Sequence, residues 1–128
     1  MSEPRRILVV EDNEVNQVLA RSVLEGEGYR VDVAANSAEA LLRVSARLPD
    51  LILMDIQLGG EDGLALTRRL KADPATAMIP IVALTALAMA GDREQAFDAG
   101  CDGYITKPIN TRTFPAQVRG YISPAVPT

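Results

Sequence analysis

Four apolar runs in this chain each end in a polar group able to bind a phosphate or a hard cation. Leu51-Ile52-Leu53-Met54 delivers Asp55, and Ile7-Leu8-Val9-Val10 delivers Glu11 and Asp12. Ile81-Val82-Ala83-Leu84 ends in Thr85, and Tyr104-Ile105-Thr106 ends in Lys107-Pro108. Three carboxylates brought together repel one another, and a hard divalent cation with oxygen ligands is the simplest resolution. Mg²⁺ suits a site with few carboxylates and open positions for water and a phosphoryl group. An Asp carboxylate is a competent phosphoryl acceptor. Lys107 then supplies a fixed positive charge, and the Thr85 hydroxyl can donate to a phosphoryl oxygen. Asp55 stands alone at its strand end and is the best acceptor, whereas the adjacent Glu11 and Asp12 suit a metal.

Composition removes several other chemistries. The chain has no histidine, which rules out Ser-His and Cys-His catalysis and every histidine metal site. Cys101 is the single cysteine, so no internal disulfide forms, and it reads as a small residue packed near the core. The net charge is −4, and Arg5-Arg6 and Arg68-Arg69 are too small for a nucleic-acid footprint, so no direct nucleic-acid partner is expected. The longest apolar stretch, 78–90, is broken by Pro80 and Thr85 and falls short of the ~20 residues a membrane span needs. No membrane insertion is expected, and a cytoplasmic location fits. With 128 residues, 48% of them hydrophobic, the chain can bury a core as one domain.

The residues that must position the site alternate between strand and helix patterns. Strands are expected at Arg6–Val10, Arg30–Ala34, Leu51–Asp55, 79–84 and Gly103–Thr106, nearly continuous in apolarity as strands covered on both faces are. Asn13 caps a first helix that stops near Gly26 and Gly28, and Asn36 with Glu39 starts a second. Asp62 precedes a third that ends at Asp73-Pro74, with Lys71 read as a solvated helix residue. A fourth is expected over about 88–99, weakened by Gly91, with Met89 and Phe97 as core or face residues. Pro115 places the start of the fifth near Thr113 or Phe114. This alternation argues for an α/β doubly wound domain over 5–122, a parallel sheet with helices on both faces, and a frayed tail over 123–128. Ligands of such sheets bind outside the carboxyl ends of the strands, which is where the polar groups fall.

The chain resembles a receiver domain of two-component signalling from Arg5 to about Ile122. The matching segments are I-L-V-V-E-D-N, L-I-L-M-D-I-Q-L, D-G-L, I-V-A-L-T-A and Y-I-T-K-P, in this order and at these spacings. E-D-N-E-V-N, T-A-L-A-M-A-G-D and A-G-C-D-G-Y-I-T-K-P are further similar to the single-domain DivK type and to the receivers of hybrid histidine kinases. The resemblance implies a CheY-like (βα)5 fold with strand order 2-1-3-4-5. It implies that a histidine kinase or phosphotransfer protein phosphorylates Asp55. It implies that Asp12 and Asp55 bind Mg²⁺ directly, Glu11 through water and Gln57 through its backbone carbonyl. Lys107 and Thr85 would hold the phosphoryl group, and Tyr104 would be an aromatic switch that follows Thr85. Gln57 and Leu87 would tune hydrolysis of the aspartyl phosphate. The output face would be the fourth helix, fifth strand and fifth helix, in a signalling switch rather than a turnover enzyme.

One departure from the family stands beside the acceptor. Where receivers commonly have Leu-Pro-x-Met-Asp-Gly, this chain has Leu58-Gly59-Gly60-Glu61-Asp62-Gly63. Loss of the proline is expected to loosen that loop, and Glu61 adds negative charge near it. Rival readings are weaker. A haloacid-dehalogenase phosphatase needs a second Asp two residues after the first, where Gln57 stands. A flavodoxin needs a phosphate loop after the first strand, where Glu11-Asp12-Asn13-Glu14 would repel a phosphate. Retention of every site residue argues against a phosphate-independent interaction module.

Overall fold

Consecutive residues of a strand point to opposite faces of a sheet, so a strand apolar at every position needs a core on each side. That is the arrangement in the structure, a computed structural model that describes residues 4–58, 60–86 and 90–122. The elements run β1 (Arg6–Val10), α1 (Glu14–Gly26), β2 (Arg30–Ala34), α2 (Ser37–Ala46), β3 (Leu51–Asp55), β4 (Gln57–Leu58) and β5 (Glu61–Asp62). They continue α3 (Gly63–Ala72), β6 (Ile81–Thr85), α4 (Ala90–Asp98), β7 (Gly103–Thr106) and α5 (Phe114–Tyr121). The five long strands form one all-parallel sheet in the order β2-β1-β3-β6-β7. Counting only those strands, the order is 2-1-3-4-5, as the resemblance implied.

Alternation along the strands sorts the core into two halves. Leu8, Val10, Ile52, Met54, Ile81 and Ala83 face Ala40 and Val44 of α2, Leu66 and Leu70 of α3, and Ala96 of α4. Ile7, Val9, Leu51, Leu53, Val82 and Leu84 face Ala20 and Leu24 of α1 and Phe114 and Val118 of α5. Asn13, Asn36 and Asp62 each cap the following helix by accepting a backbone N–H, from Asn16, Glu39 and Leu64 respectively. Glu39 reaches back to the N–H of Ala35, completing a variant of the capping box.

Two local expectations need adjustment, the start of β6 and the segment after Asp55, while part of the fourth helix lies outside the described residues. β6 starts at Ile81 rather than at position 79, because Pro80 has no N–H and the Ile79 N–H is turned to the carbonyl of Thr76. α4 is described from Ala90 to Asp98, and Leu87, Met89 and the expected start of that helix lie outside the described residues, as does the tail over 123–128. Phe97 is 51% exposed, a face residue of that helix and so within the expectation for it. The segment after Asp55 is not a plain loop. Gln57–Leu58 and Glu61–Asp62 pair antiparallel, with Gly60 at φ +97° and Gly59 outside the described residues. The helix start at Phe114, with Pro115 in the first turn, is as expected.

Lys71 is the clearest correction. Rather than a solvated helix residue, it is a clamp at the sheet's amino edge. Its Nζ donates to the carbonyls of Ala77 and Ile79 at 3.1 and 2.8 Å and to Asp102 Oδ2 at 2.8 Å. All three ammonium donors are thus used. Asp102 in turn accepts the N–H of Ile81, so one ion pair pins the α3–β6 connection to the entry of β7. Gly100, at φ +108°, lies where a Cβ would come within 2.9 Å of the Lys71 stem.

Two outcomes follow for this part of the fold. Lys71→Met keeps the stem and deletes the donors, leaving the Ala77 and Ile79 carbonyls without this partner and Asp102 with the Ile81 N–H but no counter-charge from Lys71. It should lower unfolding free energy by about 2 kcal/mol, read as a lower urea midpoint at unchanged m-value; an unchanged midpoint would show Lys71 to be decorative. Cys101 is 5% exposed, and burial pushes its thiol up to about 11. In native protein at pH 8 it should resist iodoacetamide, and it should label fully once the chain is unfolded. Labelling of the native state at the rate of an exposed thiol would contradict that placement.

Candidate functional site

Parallel pairing puts the last residues of β1, β3, β6 and β7 side by side at one edge of the sheet. Val10 registers with Met54 and Asp55 with Leu84, which brings Glu11 and Asp12 next to Asp55. Carboxylate oxygens of Glu11, Asp12 and Asp55 lie within 4.8 Å of one another. Glu11 and Asp55 are buried, at 1% and 5% exposure, and Asp12 is exposed. Thr85 registers with Thr106, and its carbonyl accepts the Lys107 N–H at 2.8 Å, so the final strand hands its lysine directly into the group. The Lys107–Pro108 peptide is cis.

Lys107 Nζ donates to Glu11 Oε1 at 2.6 Å and to Asp55 Oδ2 at 3.0 Å. It therefore bridges two carboxylates rather than standing apart from them. Burial favours the neutral form of the lysine, but the hydrogen bonds and charges of Glu11 and Asp55 outweigh it and raise its pKa. Burial raises the pKa of Glu11, Asp55 raises it further, and Lys107 offsets only part of that. One ammonium thus faces three carboxyl groups. The donor set is all oxygen, partly open at Asp12, and short of positive charge, which fits a hard divalent cation such as Mg²⁺.

Backbone geometry fixes the acceptor. The Gln57 N–H donates to Asp55 Oδ1 at 3.0 Å, and the Gly63 N–H donates to the carbonyl of Ile56 at 2.9 Å. A Cβ on Gly63 would sit 2.1 Å from the Asp55 carbonyl oxygen, so only glycine lets α3 start this close to β3. Gln57 thus meets Asp55 through its amide. The Gln17 side chain donates to the Glu11 carbonyl, and the Asn13 N–H lies 3.5 Å from Glu11 Oε2. Gly63 and Gln17 were not singled out from sequence as site residues. The only signal was the Asp62-Gly63-Leu64 triplet, read as a family motif.

Thr85 is 4% exposed at the end of β6. Tyr104 is half-buried in β7, packs against the α2–α3–α4 side of the core, and carries the Arg93 guanidinium 5.1 Å from its ring centroid. Every expected site residue except Leu87, which lies outside the described residues, therefore has a place at this edge or in the strands that end there.

Comparison with known proteins agrees with this geometry. The family model of the response regulator receiver domain matches residues 7–119. The polar-differentiation response regulator DivK of Brucella anthropi is 43% identical over 122 residues, covering 95% of this chain and 99% of that protein. A receiver domain of a sensor histidine kinase from Pseudomonas aeruginosa, solved with a magnesium ion coordinated in its active-site cleft, superposes with a TM-score of 0.83 at 36% identity. That match covers 92% of this chain and 97% of the other. The chemotaxis protein CheY4 of Vibrio cholerae, at 22% identity and a TM-score of 0.88 over 93% of this chain and 99% of its own, shares the fold. The chain belongs to the response regulator receiver family of two-component signalling, and its similarity to DivK runs over nearly its whole length.

Proposed function

We propose that this domain is a phosphorylation switch that takes a phosphoryl group from a histidine kinase or phosphotransfer protein onto Asp55. The observation that carries the reading is Lys107 Nζ held between Asp55 and Glu11, with Asp12 beside them. In the transfer an Asp55 oxygen forms the new P–O bond while the P–N bond of the donor phosphohistidine breaks, and the imidazole leaves. Asp12 and Asp55 would ligate Mg²⁺ directly, Glu11 through water and Gln57 through its carbonyl. When bound, Mg²⁺ neutralises charge on the phosphoryl oxygens. Lys107 is already on the acceptor and needs only to exchange one carboxylate oxygen for a phosphoryl oxygen. The Gln57 N–H keeps the acceptor carboxylate oriented.

Signal output follows from the same groups. The Thr85 hydroxyl would donate to the phosphoryl oxygen, and its shift would open space for Tyr104. The equilibrium moves only by the phosphate's preference for one state over the other. The changed surface is α4, β7 and α5, through which a downstream protein would be bound. The domain promotes its own phosphorylation and dephosphorylation and turns over no other substrate. A cytoplasmic site of action fits this role, and among the described residues no helix is long and apolar enough to cross a membrane.

Intact mass after incubation with Mg²⁺ and acetyl phosphate tests the acceptor. Wild type should gain one phosphoryl group, and neither Asp55→Asn nor wild type in excess EDTA should gain any. Equal labelling of Asp55→Asn would move the acceptor elsewhere. Absence of label under conditions that modify a known receiver would make this a phosphate-independent module.

A further inference from the structure

The loop between β1 and α1 carries Asp12, the exposed carboxylate of the cluster. Glu11 beside it is fastened at both backbone and side chain. Its N–H donates to the Ala34 carbonyl at 2.9 Å, and its carboxylate accepts from Lys107. Asp12 has no such fastening. Among the described residues its carboxylate accepts no hydrogen bond and joins no ion pair. Its direction is therefore set by the peptide that leads into it.

That peptide is held by Gln17. The Gln17 side chain donates from Nε2 to the Glu11 carbonyl, and the Gln17 N–H donates to the Asn13 carbonyl at 2.9 Å. One residue of α1 thus grips the backbone on both sides of Asp12. A carbonyl can only accept, so the NH₂ end of the amide must be the end that faces Glu11. The Glu11 carbonyl and the Asp12 N–H belong to one planar peptide, so pinning the first fixes the angle at which Asp12 leaves the sheet. Gln17 is half-buried, and water can replace its donor at the carbonyl. Losing the bond therefore frees the peptide to rotate without unfolding the loop.

We propose that Gln17 is a positioning residue that aims Asp12 and thereby sets how well the site discriminates Mg²⁺ from larger cations. The inference rests on Asp12 being a Mg²⁺ ligand, as proposed above. Mg²⁺ demands a near-octahedral set of oxygens at short range, whereas Ca²⁺ accepts longer and more irregular coordination. Removing a residue that orients a metal ligand costs about tenfold or more in affinity. A loosened Asp12 should therefore cost Mg²⁺ more than it costs Ca²⁺.

Calorimetric titration of the unphosphorylated protein with Mg²⁺ and, separately, with Ca²⁺ tests this on wild type, Gln17→Met, Gln17→Glu and Gln17→Lys, with Asp12→Asn alongside. Gln17→Met keeps the length and helix propensity but has no donor. It should weaken Mg²⁺ about tenfold and Ca²⁺ by no more than about twofold. An ionised Gln17→Glu side chain cannot donate and attracts either cation, so it should lower the ratio of Mg²⁺ to Ca²⁺ affinity whatever happens to the absolute values. Gln17→Lys restores a donor, repels both cations, and should recover part of that ratio. Circular dichroism confirms that each variant is folded, and Gln17→Ala is the substitute should Gln17→Met not fold. Unchanged Mg²⁺ affinity in Gln17→Met, equal losses for both cations, or a ratio that follows side-chain charge rather than the donor would overturn the proposal while leaving Asp12 a ligand. Mg²⁺ binding that Asp12→Asn does not alter would overturn it together with the reading of the site.

Discussion

The contact on which this molecule turns is the bifurcated grip of Lys107 on Glu11 and Asp55. Two buried carboxylates cannot sit this close without a counter-charge, and a lone lysine would not stay charged in a buried place without them. The carboxylates keep Lys107 charged, and Lys107 offsets part of the cost of burying Glu11 beside Asp55. Lys107 belongs to the chain end of the sheet and Glu11 to its beginning, so the grip also closes the fold between positions 96 residues apart. It holds only if β1, β3, β6 and β7 run parallel and finish level, which is what the register provides.

The balance is deliberately incomplete in charge. One ammonium facing three carboxyl groups, with Asp12 at the solvent boundary, leaves room for a further positive charge without dismantling the site. An incoming phosphoryl group then meets an acceptor already oriented by the Gln57 N–H and a lysine already in contact with it. Electrostatic preorganisation of this sort costs no rearrangement at the moment of transfer. At the other end of the same sheet, Arg6 and Arg30 begin their strands. Parallel strands make such polarity possible, because all their starts share one edge and all their ends share the other.

Much of this was legible in the sequence because strands buried on both faces leave an unbroken apolar signature. The polar residue that stops each run marks the edge of the sheet. That is why Asp55, Thr85 and Lys107 could be named with the strands that present them. Lys71 was misread for the opposite reason. Two of its partners are backbone carbonyls in an irregular connection and the third is Asp102, 31 residues on, and helical periodicity carries no trace of either. The β4–β5 pair was missed because two-residue strands lack a period, and Gly60 reads as flexibility where it supplies a positive φ. The demand on Gly63 comes from the Asp55 carbonyl above it, a tertiary approach that composition cannot express.

The central claim is that Lys107 occupies, in part, the electrostatic role that a divalent cation completes. Calorimetric Mg²⁺ affinity of wild type, Asp12→Asn and Lys107→Met tests it most directly. Removing a carboxylate should weaken Mg²⁺ about tenfold or more, whereas removing the competing ammonium should tighten it, as Coulomb interactions a few ångströms apart require. Mg²⁺ binding that is indifferent to both substitutions, or weaker without Lys107, would contradict the account.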